Sequence, residues 1–144
     1  MNLFKNLSLT LLAGHLSCLA FGQAKDFTIS VKLPSAPQNA ILLLNRIDAL
    51  SGKRVNDSAI LDNGMAKFAA STLYPQKAVL LLKTKNSKVL DENIKDRLTV
   101  YLESGNISVS GNDNLKTARV GGTRLNEDSQ AFYRCQKRIF AKGG

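Results

Sequence analysis

The chain is poor in the side chains that carry most enzymatic chemistry. Its 144 residues contain no tryptophan, one histidine and two cysteines. The cysteines, Cys18 and Cys135, are far apart in the sequence, so no Cys-x-x-Cys motif exists to carry out dithiol exchange. A single histidine also excludes zinc sites built from several histidines.

The first 22 residues predict a secretory signal peptide. Lys5 gives a positively charged start, residues 7–12 are mainly apolar, and Ala20 and Gly22 are small residues at the two positions that a signal peptidase recognises. The apolar segment is too short for a transmembrane span, which needs about 20 apolar residues. We therefore expect export to the periplasm or cell envelope, with no transmembrane span.

Cleavage after Gly22 would change the set of reactive groups. It would remove His15 and Cys18 and leave Cys135 as the one thiol. A lipoprotein anchored through Cys18 is the less favoured alternative, because His15 stands where a lipobox has an aliphatic residue. The exported chain could then build no histidine-dependent triad and no Cys/His nucleophile pair. We expect a protein without enzymatic activity and without a cofactor.

Acidic residues are also scarce, with 11 against 20 Lys and Arg, which gives a formal net charge of +9. A basic surface can hold nucleic acid. Here the basic residues are scattered along predicted strands and loops, where they suit solvated faces and the protection of sheet edges. The sequence therefore predicts no nucleic-acid binding.

The apolar pattern predicts a mainly β domain over residues 25–122. Phe27, Ile29, Val31 and Leu33 alternate with polar residues, as in a half-buried strand. Seven strands are predicted, at residues 27–33, 40–47, 55–61, 65–70, 77–83, 98–103 and 106–111. Short strands with regular turns and no interleaved helices predict an antiparallel β-sandwich or partial barrel.

The sequence makes three further predictions about individual strands and the turns between them. The nearly continuous apolar run at 40–47 predicts a central strand buried on both faces. Asn63-Gly64 predicts a hairpin within residues 57–70, because both residues tolerate positive φ. Ser104-Gly105 predicts a second hairpin. The polar segment 84–97 is expected to be an excursion loop.

The spacing of apolar residues changes from that of a strand to that of a helix only in residues 123–144. This segment predicts one helix, which starts at about residue 126, and a tail. The possible interface residues on its apolar face are Leu125, Phe132, Cys135 and Ile139. The basic neighbours of Cys135 are compatible with a reactive thiol, whereas its position on an apolar face favours a packing role, which we expect.

Other candidate groups have simpler explanations. Six carboxylates could supply an acid/base pair, but sequence spacing places no two of them across a substrate: Asp57, Asp62, Asp91, Glu92, Asp96 and Glu103. Residues 111–114 offer oxygen donors for calcium without the spacing of an EF-hand loop, so a turn is expected. Gly121-Gly122 could cradle an anion at the helix start, but a flexible helix entry is the simpler interpretation.

Two stretches carry a family resemblance, "VNDSAILDNGMAKFAASTLYPQKAVLLL" and "LTVYLESGNISVSGNDNLKTARVGGTRLNEDSQAFYR". Over residues 25–134 the chain resembles an uncharacterised β-rich domain that precedes thioredoxin-like domains of the thiol–disulfide oxidoreductase or peroxiredoxin type in exported bacterial proteins. The motif positions are turn and core residues: Asp57, Ser58, Asn63, Gly64, Phe68, Pro75 and Gly105. The resemblance implies no catalytic residue here. The stretch "FAAS" at 68–71 stands where a glycine is usual after the phenylalanine, so the sequence does not decide whether a bulge forms there.

Two functions follow as hypotheses. The first is a non-catalytic, exported accessory or binding domain of unknown ligand, which contacts a thioredoxin-like domain or another envelope protein. The alternative is the amino-terminal fragment of an envelope thiol–disulfide oxidoreductase that lacks its catalytic domain. A small enzyme using carboxylates ranks third. We also expect the reading frame to be a truncated or frameshifted relative of a two-domain protein.

Overall fold

The computed structural model describes residues 23–84 and 96–141. Within them the chain forms eight strands followed by one helix. The elements are β1 (Lys25–Lys32), β2 (Ile41–Ile47), β3 (Arg54–Ile60), β4 (Met65–Thr72), β5 (Gln76–Lys83), β6 (Arg97–Leu102), β7 (Gly105–Ser110), β8 (Arg119–Gly121) and α1 (Arg124–Ala141). The predicted mainly β class with one carboxyl-terminal helix is confirmed. The sequence analysis missed only the three-residue strand β8. The predicted signal peptide and most of the predicted excursion loop lie outside the described residues.

The strands form two four-stranded sheets. The order is β4-β1-β7-β8 in the first sheet and β3-β2-β5-β6 in the second. All neighbouring strands are antiparallel except β1 and β7, which run parallel. A parallel pair needs a long connection, which the chain from β2 to β6 provides. The antiparallel expectation is therefore correct for every pair but this one.

The apolar core contains the inward-facing residues of both sheets. Phe27, Ile29 and Val31 of β1 are buried, so the predicted alternation along this strand is confirmed. The second sheet contributes Leu42, Leu44, Ala78, Leu80, Leu82, Val100 and Leu102 to the same cluster. Burial of each large apolar side chain stabilises the fold by about 1.5–3 kcal/mol.

Strand β2 is central, as predicted, but it is not buried on both faces. Leu42 and Leu44 are fully buried, whereas Ile41 and Leu43 on the other face are only partly buried. A two-layer sandwich has no third layer to cover the outer face of its central strands. The continuous apolar run therefore predicted the central position of β2 correctly. It did not predict that one face of the strand is only partly buried.

The predicted hairpin at 57–70 is wrong, although its turn is right. Asn63 and Gly64 have φ of 49° and 73°, and Asp62 and Met65 exchange two backbone hydrogen bonds of 2.9 Å across them. Beyond this single bridge the strands separate, because β3 pairs with β2 and β4 pairs with β1. Turn chemistry fixes four residues, but it does not choose the sheet that the following strand joins.

The second predicted hairpin is wrong for the same reason. Strands β6 and β7 lie in different sheets, joined by a sharp corner where Gly105 has φ of 123°. Strand β3 alternates as a half-buried strand does, with Asp57 partly buried and Ser58 exposed. Strand β4 pairs with β1 in unbroken register, so it carries no bulge at residues 68–71.

Candidate interaction surface on the carboxyl-terminal helix

The helix α1 begins after a tight turn that requires glycine. Gly122 has φ of 86°, and a Cβ there would lie 2.3 Å from the backbone oxygen of Asn106. The Gly122 N–H donates to the Glu127 side chain at 3.3 Å, and the Glu127 N–H donates to the Thr123 carbonyl at 3.0 Å. The Glu127 carboxylate thus takes the position at Gly121-Gly122 that was considered for a bound anion. The glycines form the turn that leads into the helix.

Asn126 fixes the first turn of α1 to the edge of the second sheet. Its side chain is 1% exposed; Oδ1 accepts from the Tyr101 N–H at 2.9 Å, and Nδ2 donates to the Tyr101 carbonyl at 2.7 Å. Nδ2 also donates to Thr123 Oγ1 at 2.8 Å. The amide therefore pairs with edge strand β6 as a neighbouring strand would. Gln76 satisfies the backbone of Ile47 in the same way, with two bonds of 3.0 Å.

Glu103, at the end of β6, adds a further connection. One of its carboxylate oxygens accepts from the Leu125 N–H at 2.7 Å. The first N–H groups of a helix have no partner within the helix, and negative charge is favourable there. Leu125 itself is partly buried. We call residues 124–130 the anchored half of α1.

The remaining residues of the helix, 131–141, are all exposed, and we call them the distal half of α1. Its large apolar side chains are 72% exposed at Phe132, 65% at Tyr133, 66% at Ile139 and 74% at Phe140. Phe132 and Ile139 were among the predicted interface residues, whereas Tyr133 and Phe140 were not. Cys135 is exposed too, so its expected packing role is wrong.

The distal half is also basic. Arg134, Lys137 and Arg138 follow helical spacing and share one side, while Phe132 and Ile139, seven residues apart, share another. Residues 131–141 contain no acidic residue. The distal half is thus an amphipathic surface that combines apolar side chains with positive charge.

The polar cluster around Asp57 is structural. Asp57 Oδ2 lies 2.6 Å from Arg46 Nε, and Asp48 Oδ1 lies 3.6 Å from Arg46 Nη1. The Arg46 side chain is only 9% exposed, and its Nη1 makes no hydrogen bond to the described residues. The Ser51 N–H and hydroxyl hold the pKa of Asp48 below its usual value, with a smaller contribution from Arg46. Both carboxylates bind Arg46, and Asp48 also accepts from Ser51, so these three charged side chains are held by contacts within the fold.

The other candidate carboxylates within the described residues also bind their own chain. Asp96 Oδ1 accepts from the Leu115 and Lys116 N–H groups at 2.9 and 3.1 Å, and Asp62 belongs to the β3–β4 turn. Asp91 and Glu92 lie outside the described residues. No group of three His, Cys, Asp or Glu side chains in ranges 23–84 and 96–141 could hold a metal ion.

Among the motif residues, Gly64 packs closely against the end of β1. The Leu33 N–H donates to the Gly64 carbonyl at 2.7 Å, and a Cβ on Gly64 would lie 2.6 Å from the Leu33 oxygen. Phe68 is buried in the core, whereas Pro75 is exposed between β4 and β5. A shallow depression of about 340 Å³ beside this corner has Asp62 as its one charged lining residue. It shows no converging set of reactive groups.

The segment 111–114 bends after β7 and contacts the segment that follows β1. The Ser35 N–H donates to the Asn112 carbonyl at 2.9 Å, and the Ser35 hydroxyl contacts Asn112 Oδ1 at 3.0 Å. In the described part of the chain, no helix is both long and apolar enough to cross a membrane.

Two four-stranded sheets around one core, with a helix fixed to an edge, define a two-sheet β domain. The chain belongs to the DUF4369 family of domains of unknown function, whose family model matches residues 27–129. No curated protein and no solved structure matches the chain. The matched region covers nearly all of both sheets and most of the anchored half of α1, and the distal half lies beyond it.

Proposed function

We propose that the chain is an exported, non-catalytic binding domain whose contact surface is the distal half of α1. One observation carries this proposal: four large apolar side chains stay exposed on a helix whose first half is fixed by partly buried hydrogen bonds. A contiguous exposed apolar surface on a folded domain usually marks an interaction site. The other candidate groups in the described residues have roles within the fold.

The amino-terminal sequence supports export to the periplasm or cell envelope. A charged start, an apolar segment and small residues before position 23 form the pattern that signal peptidase recognises. Processing there would leave Cys135 as a lone thiol, which can form a mixed disulfide but has no second cysteine to resolve it. Partner binding is thus the simpler role for this domain.

A thioredoxin-like partner is the second candidate. In this alternative the chain is the amino-terminal part of an envelope thiol–disulfide oxidoreductase, and the distal half contacts the catalytic domain. The observation that favours it is position: the uncovered distal half directly follows the part of the chain that matches the family. Chemistry would then come entirely from the partner domain.

The test is photo-crosslinking in the cell. A photoreactive amino acid replaces Phe132, and a control chain carries it at Tyr74, a 60% exposed aromatic residue on a turn between strands. We expect adducts in the envelope fraction from position 132 and few from position 74. Equal labelling from both positions, or protein confined to the cytoplasm, would contradict the proposal. An adduct with a Cys-x-x-Cys protein would favour the thioredoxin-like partner.

A further inference from the structure

We propose that the distal half of α1 docks on an anionic lipid surface. The inference deepens the proposed function and rests on it, because it uses the same contact surface and names the chemistry of the partner. The relevant features are the exposed apolar side chains, the clustered cations and the absence of acidic residues in 131–141.

The two sides of the distal half suit the two layers of a membrane interface. Phe132 and Ile139 offer apolar side chains that can enter the boundary between headgroups and acyl chains. Arg134, Lys137 and Arg138 have long apolar stems, so their charged ends can reach phosphate groups while the stems stay near the apolar layer. Helices with an apolar face and a basic polar face lie in the interface plane in this way.

Charge argues against a second copy of the chain as the occupant. Two distal halves packed along their apolar sides would bring three cations of each copy close to the contact, on the sides that stay exposed, with no carboxylate from residues 131–141 to balance them. The acidic residues of the anchored half are already engaged. Glu127 accepts from Gly122, and Asp128 lies 3.8 Å from Arg124. An anionic surface removes this repulsion, since it supplies the missing negative charge.

Geometry favours lipid over an acidic protein groove. All side chains of the distal half are exposed, and eleven helical residues extend only about 16 Å. A soft, continuous surface can engage the apolar side and the cations of so short a segment together. The net charge of +9 adds a long-range attraction to the same surface. We expect reversible binding that salt weakens.

Vesicle sedimentation tests the proposal. The purified chain is mixed with vesicles of phosphatidylcholine plus phosphatidylglycerol, or of phosphatidylcholine alone, and every variant keeps the same amino terminus. We expect tighter binding to the anionic vesicles. The double variant Phe132→Ser, Ile139→Ser should lose most of it.

A charge-matched pair of triple variants separates local from general electrostatics. Arg134→Gln, Lys137→Gln, Arg138→Gln should weaken anionic binding by roughly 100-fold, since each cation near such a surface contributes about fivefold. Lys53→Gln, Lys67→Gln, Lys116→Gln removes the same charge from exposed positions on turns and strands. The second triple should change binding by no more than about threefold, because distant charges are screened.

A fluorescence reporter locates the contact. The chain has no tryptophan, so Phe132→Trp introduces a single indole, and Tyr74→Trp is the matched control. We expect a blue shift on anionic vesicles for position 132 alone. Equal losses in the two triple variants, or dimers that the Phe132→Ser, Ile139→Ser variant abolishes, would overturn the lipid proposal. A protein adduct from position 132 without vesicle binding would overturn it and leave the proposed function standing. If the chain neither binds the anionic vesicles nor forms adducts from position 132, both the lipid proposal and the proposed function are wrong.

Discussion

The two halves of α1 belong to one continuous helix but contact their surroundings in opposite ways. The anchored half is fixed mainly by polar bonds, from Asn126 to Tyr101 and from Leu125 to Glu103. The distal half has the larger apolar side chains and is exposed throughout. In most surface helices the apolar stripe faces the core and the polar side faces solvent. Here hydrogen bonds attach the helix, and its large apolar residues remain free for a partner.

Among changes within α1 and its contacts, the largest expected effect on stability comes from Asn126, which holds the anchored half. Asn126→Ala removes three hydrogen bonds and leaves the backbone N–H and C=O of Tyr101 without their partner. We expect the free energy of unfolding to fall by roughly 2–3 kcal/mol, because unpaired buried polar groups are costly. Urea denaturation measures the change.

The matched control for Asn126 is Gln136→Ala, which removes an amide from the exposed distal half. Surface changes of this kind usually alter stability by no more than about 0.5 kcal/mol. Similar losses from the two variants would show that α1 is not divided into an anchored and a distal half. A small loss from Asn126→Ala alone would mean that water replaces the amide at the edge of β6.

Local features of the anchored half could be predicted only in part. Sequence periodicity gave a helix that starts within two residues of Arg124. Of the four residues predicted on its apolar face, Leu125 is partly buried, whereas Phe132, Cys135 and Ile139 are exposed. The bond between Asn126 and Tyr101 could not be predicted, because it joins residues 25 apart in sequence whose approach depends on how α1 meets the sheet. The polarity of Asn126 alone does not distinguish a buried anchor from a surface residue.

The sheets show the same division between local and long-range information. Alternation along β1 and the turn at Asn63-Gly64 were predictable, since each depends on neighbouring residues. The pairing of β4 with β1 and the parallel pairing of β7 with β1 were not. Those pairings depend on which sheet edge receives each strand after its turn, and both predicted hairpins failed at this step.

Glu103 should give the intermediate effect on stability. Glu103→Gln keeps the size of the side chain but removes the charge that accepts the Leu125 N–H and lies at the helix start. Hydrogen bonds with charged acceptors are roughly twice as strong as neutral ones. We expect a loss of about 1 kcal/mol, and Glu103→Ala should lose more, up to about 2 kcal/mol. Amide exchange at Leu125 checks that the effect is local, since faster exchange in the anchored half is expected at Glu103→Gln. Unchanged exchange there would assign the anchoring to Asn126 alone.

The smallest expected effect is at the apolar side chains of the distal half. Ile139 is 66% exposed, whereas Ile29 in β1 is fully buried, so the same substitution can be made in both environments. Ile139→Ser should change the free energy of unfolding by no more than about 0.5 kcal/mol, because its side chain is already in water. Ile29→Ser should cost about 3 kcal/mol or more, since it creates a cavity and buries a hydroxyl.

Urea denaturation at two protein concentrations measures both. A loss above about 1 kcal/mol at Ile139→Ser that grows with protein concentration would show that the distal half packs against a second copy, since stabilisation by association depends on concentration. A near-zero change, together with loss of vesicle binding in the Phe132→Ser, Ile139→Ser variant, would assign these side chains to binding and not to the stability of the fold.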